Sequence, residues 1–161
     1  MQIRILFASE IFQAHRSVPC GVTPLLLTTR IMGAGTQMTD VREVMTEQLV
    51  TVEPSTSVAA AVTVMGMQGV GAVLVIEKGR VEGIFTERDL VRAMSNDIGA
   101  SSQPVVHWMT RNPVTVGPEA SVEEALEIML NGHFRHLPVM EGERVVGVVS
   151  IRDLSRATLR E

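Results

Sequence analysis

The chain has 161 residues, 45% of them apolar and 20% charged, which suits a soluble globular fold of one domain or two small lobes sharing a core. The net charge of −4 offers no basic footprint for nucleic acid, and the single cysteine, Cys20, excludes an intrachain disulfide and a cysteine-based metal cluster. Aromatic residues make up only 3%, so Val, Leu, Ile, Ala and the ten Met must fill the core.

Residues 1–38 differ from the rest. They hold Arg4, Arg16 and Arg30 against Glu10, whereas residues 39–161 carry 11 basic and 17 acidic side chains. The stretch "SVPCGVTPLLLTT" is uncharged but short, and Pro19 and Pro24 break it, so it does not read as a membrane span. "IRILFASEIF" is a poor secretory core because Glu10 sits inside it. An Arg-bearing, acid-poor start also has the character of a transit peptide, but the reading adopted is a disordered leader or gene-model extension over residues 1–40. Met32 and Met38 are alternative starts.

Beyond the leader, the sequence aligns on itself without a gap at an offset of 64. Met45-Thr46 falls on Met109-Thr110, "VTVEP" on "VTVGP", Ser57-Val58 on Ser121-Val122, Ala61 on Ala125, and Met65 on Met129. "RVEG" then falls on "RVVG", and "RDL" on "RDL". The predicted elements in each copy follow one order. "VTV" is a short β-branched strand stopped by Pro54 or Pro118. Ser57 or Ser121 then caps a helix, and Ser121 to Glu124 carries the full capping-box pattern. Val58, Ala61, Val62 and Met65 repeat at helical spacing, as do Val122, Ala125, Leu126 and Met129, and Gly69 and Gly132 mark the helix ends.

A strand follows in "AVLVIE" or "HLPVME", then a turn and a second strand, "VEGIFT" or "VVGVVS", which together predict a hairpin. The last helix starts at Thr86 or Ser150. The fold class is thus mixed α/β (α+β), with two β-α-β-β-α units. "SNDIGASSQP" at 95–104 reads as the linker between them, and the domain bounds become 41–98, a linker 99–104, and 105–161. About 50 residues is too few for a good core, so the copies are expected to pack sheet to sheet about a pseudo-twofold axis. That arrangement leaves two equivalent clefts.

Thr86-Glu87-Arg88-Asp89 and Ser150-Ile151-Arg152-Asp153 would face those clefts. One reading is helix capping, with a hydroxyl at the N-cap and an acid in the first turn. The other is ligand binding, since a helix start attracts anions, a carboxylate accepts from a vicinal diol, and arginine holds phosphate. The two readings are compatible.

The order Met-Thr, "VTV-x-P", Ser-Val, Ala, Met, "HLPV", "RV-x-G" and [ST]-x-R-D-L resembles the cystathionine-β-synthase (CBS) domain, and its duplication resembles the tandem pair called a Bateman module. The likeness covers residues 41–159. It implies binding of AMP, ADP, ATP or S-adenosylmethionine as a regulatory ligand. Asp89 and Asp153 would hold ribose hydroxyls with Thr86 and Ser150 in support, Arg88 and Arg152 would meet phosphate, and backbone near Val50 and Val114 would meet adenine.

The two copies differ where "GHFRHLPV" replaces "QGVGAVLV", so that His133, Arg135 and His136 stand where the first copy has Gly69, Gly71 and Ala72. In the family this position supplies phosphate contacts, which makes the Asp153 cleft the expected tighter site. Arg135 fits either a phosphate contact or a surface ion pair, and His136 either a phosphate contact or a half-buried core edge. His133 and His136 lack a third ligand nearby, so no metal site is assigned. "GMQGVGAV" leads into a strand without a following Lys-Ser/Thr and is not a phosphate loop.

No catalytic residues are assigned. The barrel and cysteine loop of inosine monophosphate dehydrogenase, an enzyme that carries such a module, have no counterpart here. The expected protein is a stand-alone cytoplasmic regulator acting on a partner in trans. It would be a homodimer through its helices, without nucleic acid or membrane partners, and the alternative is a scaffold with vestigial sites.

Overall fold

The structure is a computed structural model and describes residues 39–159. The leader residues 1–38, with Met32 and Met38, lie outside the described residues.

Each copy builds a hairpin flanked by two helices. The first copy comprises α1 (Val41–Val44), β1 (Thr51–Val52), α2 (Val58–Gln68), β2 (Ala72–Glu77), β3 (Arg80–Thr86) and α3 (Glu87–Asn96). The second comprises β4 (Thr110–Arg111), α4 (Val122–Gly132), β5 (His136–Glu141), β6 (Arg144–Ser150) and α5 (Ile151–Thr158). One sheet has the order β1-β2-β3-β4, with β1 parallel to β2 and the other pairs antiparallel, and β5 pairs with β6 in a second. In the first hairpin Lys78 and Gly79 turn the chain with φ of 50° and 81°, the doubly left-handed turn that matches strand twist. Both hairpins carry a register shift at the same place, between Val75 and Ile76 and between Val139 and Met140.

The predicted caps form with two changes. Ser57 accepts from the Ala60 N–H at 3.2 Å and Ser121 from the Glu124 N–H at 3.1 Å, but the return bond expected of Glu124 is not made among the described residues. The reciprocal capping boxes lie instead at the two corners, Thr86 with Asp89 and Ser150 with Asp153. At the end of α4, Gly132 is still helical and His133 takes the left-handed position, φ 56°. Gly132 is required there because the Phe134 ring occupies the space a β-carbon would fill.

A second difference concerns "VTV" at 114–116. It predicts a strand, but only a single parallel bridge forms, Val116 to Val139. In the first copy the Leu74 N–H donates to the Val50 carbonyl at 3.0 Å. The matching residue of the second copy is Pro138, which has no N–H, so the first rung is lost.

The expected linker is structured too. Helix α3 continues to Asn96, and two 3-10 turns, Ile98–Ser102 and Val105–His107, follow it. Ala100 and Val105 are fully buried there. This segment packs on the first copy, while residues 39–46 pack on the second, through bonds that recur at the same offset. The Val105 N–H donates to the Thr56 carbonyl and the Val41 N–H to the Ala120 carbonyl, each at 2.8 Å. The Val58 N–H donates to the Gln103 carbonyl and the Val122 N–H to the Thr39 carbonyl, at 2.9 and 3.0 Å.

Two hydrophobic cores result. One joins Val105 and Met109 to Val52, Val58, Ala61, Met65, Val73, Val75 and Phe85. The other joins Val41 to Val122, Ala125, Met129, Leu137, Val139, Val149 and Leu154. Each copy is therefore closed by the segment that precedes the other, which ties the two together through burial rather than through a flexible tether. Met65 and Met129 fill these cores, as their helical spacing predicts. Leu74 and Ile84, on the other face of the first sheet, are also buried, so that sheet is covered on both sides.

Candidate functional site

Each corner sits where a hairpin strand runs directly into a helix. β3 ends at Thr86 and β6 at Ser150, and the extended backbone at these residues turns their hydroxyls toward the first helical turn. In the second corner Asp153 Oδ2 accepts from the Ser150 N–H at 3.2 Å and from the Ser150 hydroxyl at 2.5 Å. Its other oxygen, Oδ1, has no partner among the described residues, and the side chain is half-buried.

The first corner is filled. Asp89 is only 4% exposed, and its Oδ2 accepts from the Thr86 N–H at 2.9 Å and the Thr86 hydroxyl at 2.8 Å. Oδ1 meets the Arg92 guanidinium at 2.8 Å and, at the long limit of 3.5 Å, the Thr110 hydroxyl. Arg92 also donates to the Trp108 carbonyl, so it binds α3, the carboxylate and the inter-copy segment together. Arg156, one turn beyond Asp153, makes no such ion pair among the described residues, although its spacing is the same.

The arginines beside the acids diverge in the same way. Arg88 crosses to the second copy and donates to the carbonyl of His133, at the C-terminal end of α4, where the helix dipole favours a cation. Arg152 and Arg135 are exposed, and neither side chain has a partner among the described residues.

His136 lies at the seam between the copies. A β-carbon on Gly71 would stand 3.3 Å from the His136 Cε1 and Nε2 and 3.5 Å from Glu87 Oε2, so ring and carboxylate converge on that glycine. Burial lowers the imidazolium below the ordinary histidine value, Glu87 and Asp153 work against that, and Arg135 and Arg152 reinforce it. Asp153, Arg135, His136 and Arg152 thus form one charged neighbourhood, which Glu87 enters from the first copy.

The CBS-domain family model matches residues 41–96 and 105–160. The chain belongs to the CBS-domain family.

A 17.7 kDa protein encoded in the bps2 3′ region of Acidianus ambivalens is 42% identical over 124 residues, 75% of this chain and 74% of the relative. The crystal structure of the CBS-domain containing protein ATU1752 from Agrobacterium tumefaciens superposes with a TM-score of 0.72 at 38% identity, over 74% of this chain and 99% of that one. CBSX2, solved in complex with AMP, superposes with a TM-score of 0.68 at 26% identity, over 75% of this chain and 97% of that one.

The sequence-predicted base contacts differ between the two CBS domains. The Val50 carbonyl is engaged by Leu74, whereas Val114 is 52% exposed and its carbonyl takes no hydrogen bond among the described residues. Pro138 thus opens the backbone edge in the same CBS domain whose aspartate is half free. A cavity of about 300 Å³ lies elsewhere, lined by Arg42, Met45, Glu47, Leu49 and residues 144–146 of β6. That end of β6 is five residues from Ser150, roughly 17 Å along a strand, so the cavity is separate from the Asp153 corner.

Arg92, Glu87 and Thr110 were not among the predicted site residues. The i,i+3 spacing of Asp89 and Arg92 is visible in the sequence, but Asp153 and Arg156 share it, so spacing alone did not single out Arg92. Among the described residues no helix is long and apolar enough to cross a membrane, and no cluster of three potential metal ligands occurs.

Proposed function

We propose that this chain is a stand-alone regulatory CBS pair that binds an adenosine ligand (AMP, ADP, ATP or S-adenosylmethionine) in the Asp153 cleft and signals occupancy to a partner protein in trans. The observation that carries the reading is the divided Asp153 carboxylate. One oxygen holds the helix cap, and the other is left to accept from a ribose diol, beside the uncommitted cations Arg135 and Arg152. The open backbone at Val114 suits the edge of adenine, and His136 shares the charged neighbourhood of Asp153, Arg135 and Arg152. The AMP complex of CBSX2 supports the ligand class.

A ligand touching both copies biases their relative arrangement by its differential affinity for each state, and this is the signal a partner reads. The chain acts without catalysis of its own, in the cytoplasm. It pairs as a homodimer through its helices, of which α3 exposes Val91 and Met94.

Titration calorimetry with the four ligands tests the reading. Binding by at least one is expected, and Asp153→Ala should weaken it by about 1.5–3 kcal/mol, the range for a hydrogen bond to a charged group. If none binds and the melting temperature ignores all four while a stable dimer persists, the scaffold alternative replaces it.

A further inference from the structure

We propose that Arg92 occupies the first corner in place of a ligand, so that the chain takes one adenosine ligand, at Asp153, and opens a second site only when Arg92 is removed. The inference rests on the adenosine reading and adds the residue that sets its stoichiometry.

A carboxylate offers about four lone-pair positions. Asp89 spends them on four donors: the Thr86 N–H, the Thr86 hydroxyl, Arg92 and the more distant Thr110 hydroxyl. A ribose diol would need two of these positions. The pair it could displace is the one on Oδ1, and there Arg92 is held from its other side by the Trp108 carbonyl. Displacing Arg92 would leave Asp89, 4% exposed, to exchange a charged donor for neutral hydroxyls, a poor trade at a nearly buried anion.

The remaining elements of a phosphate-binding corner are weaker in the first copy, so the ligand that Arg92 excludes would bind there less tightly than at Asp153. Arg88 is committed to the His133 carbonyl, and Gly71 and Ala72 stand where the second copy has Arg135 and His136. The Val50 carbonyl is engaged by Leu74. In the second copy Arg156 holds the position equivalent to Arg92 but leaves Asp153 unpaired among the described residues.

The test is calorimetric titration of the full chain with AMP in four forms: wild type, R92M, D153N and the double variant R92M/D153N. One AMP per chain is expected for wild type and two for R92M, whereas D153N should bind its AMP at least about tenfold more weakly and the double variant should regain a site at the first corner. One AMP in both wild type and R92M overturns the role of Arg92 while leaving the adenosine reading intact. Two in wild type overturn it as well. No AMP in any form overturns the adenosine reading, and the proposal with it. The D153N form keeps Arg92 in place and stays informative even if R92M does not fold: one AMP retained there at wild-type affinity means that the first corner is open and overturns the proposal. Melting curves of each form establish that a lost site is not a lost fold.

Discussion

The two corners share a backbone, a capping box and an aspartate, yet one is closed and the other open. At Asp89 the carboxylate is nearly buried and meets an arginine and a threonine beyond its cap. At Asp153 the same cap uses one oxygen and leaves the other without a partner among the described residues. The repeat supplies two equivalent helix starts, and their surroundings differ. The first corner became a strut that ties α3 to residues 108–110. The second has, among the described residues, two cations without partners, an exposed backbone edge and a histidine at the seam, the features on which the proposed site rests.

The comparison can be broken most forcefully at the cores that hold each corner. Val41→Ala and Val105→Ala each remove a fully buried side chain that closes the other copy. Each should cost about 2 kcal/mol in urea unfolding, and because the two cores share no residues the double variant should lose about the sum. A strongly sub-additive result would mean that one copy unfolds without the other.

Glycine substitutions come next. A β-carbon on Gly83 would stand 2.7 Å from the Thr110 backbone oxygen, whereas one on Gly147 would stand 3.2 Å from the Thr46 oxygen and press mainly on the flexible Met45 thioether. Gly83→Ala should therefore cost about 2–3 kcal/mol and Gly147→Ala about 1, read as a difference in melting temperature. Equal costs would deny that β4 is the more tightly seated of the two crossing segments.

The corners themselves should separate in opposite directions. Asp89→Ala leaves Arg92 and the cap donors without their acceptor and should cost about 2 kcal/mol of stability. Asp153→Ala loses a cap and should cost about 1. For ligand binding the order reverses, with Asp153→Ala the damaging change. If both variants lose equal stability, the strut reading of Asp89 fails.

The smallest effect is expected at the seam. The folded state holds His136 below its ordinary pKa of 6.5, so the stability that the neutral ring contributes is complete above that value. It is lost as pH falls through 6.5 toward the folded pKa, because the unfolded chain takes up the proton first. Between about pH 7.5 and pH 5.5 the wild type should therefore lose slightly more melting temperature than His136→Gln. Parallel curves would mean that the ring titrates as if exposed.

Much of this was legible beforehand because it is periodic. The 64-residue offset, the helical spacing of Ala61 and Met65, the hairpins and the hydroxyl-acid corners are local patterns, and the structure reproduces them. The departures have local causes as well. Proline at 138 withheld the donor that a strand at 114–116 needed, and Phe134 claimed the space beside Gly132. The apparent linker hid Ala100, whose burial depends on a distant surface and leaves little mark in a polar stretch.

The sequence by itself determined that there are two CBS domains, where their main helices start, and that the second carries the extra basic residues. Those are matters of repeat and short-range spacing. Only the tertiary structure decided that each copy is closed by the segment preceding the other, that Arg88 reaches His133, and that Arg92 engages Asp89 while Arg156 leaves Asp153 alone. The reason is that a hydrogen bond depends on where two chain segments meet. Asp89–Arg92 and Asp153–Arg156 are identical in spacing and differ in what the folded chain brings beside them.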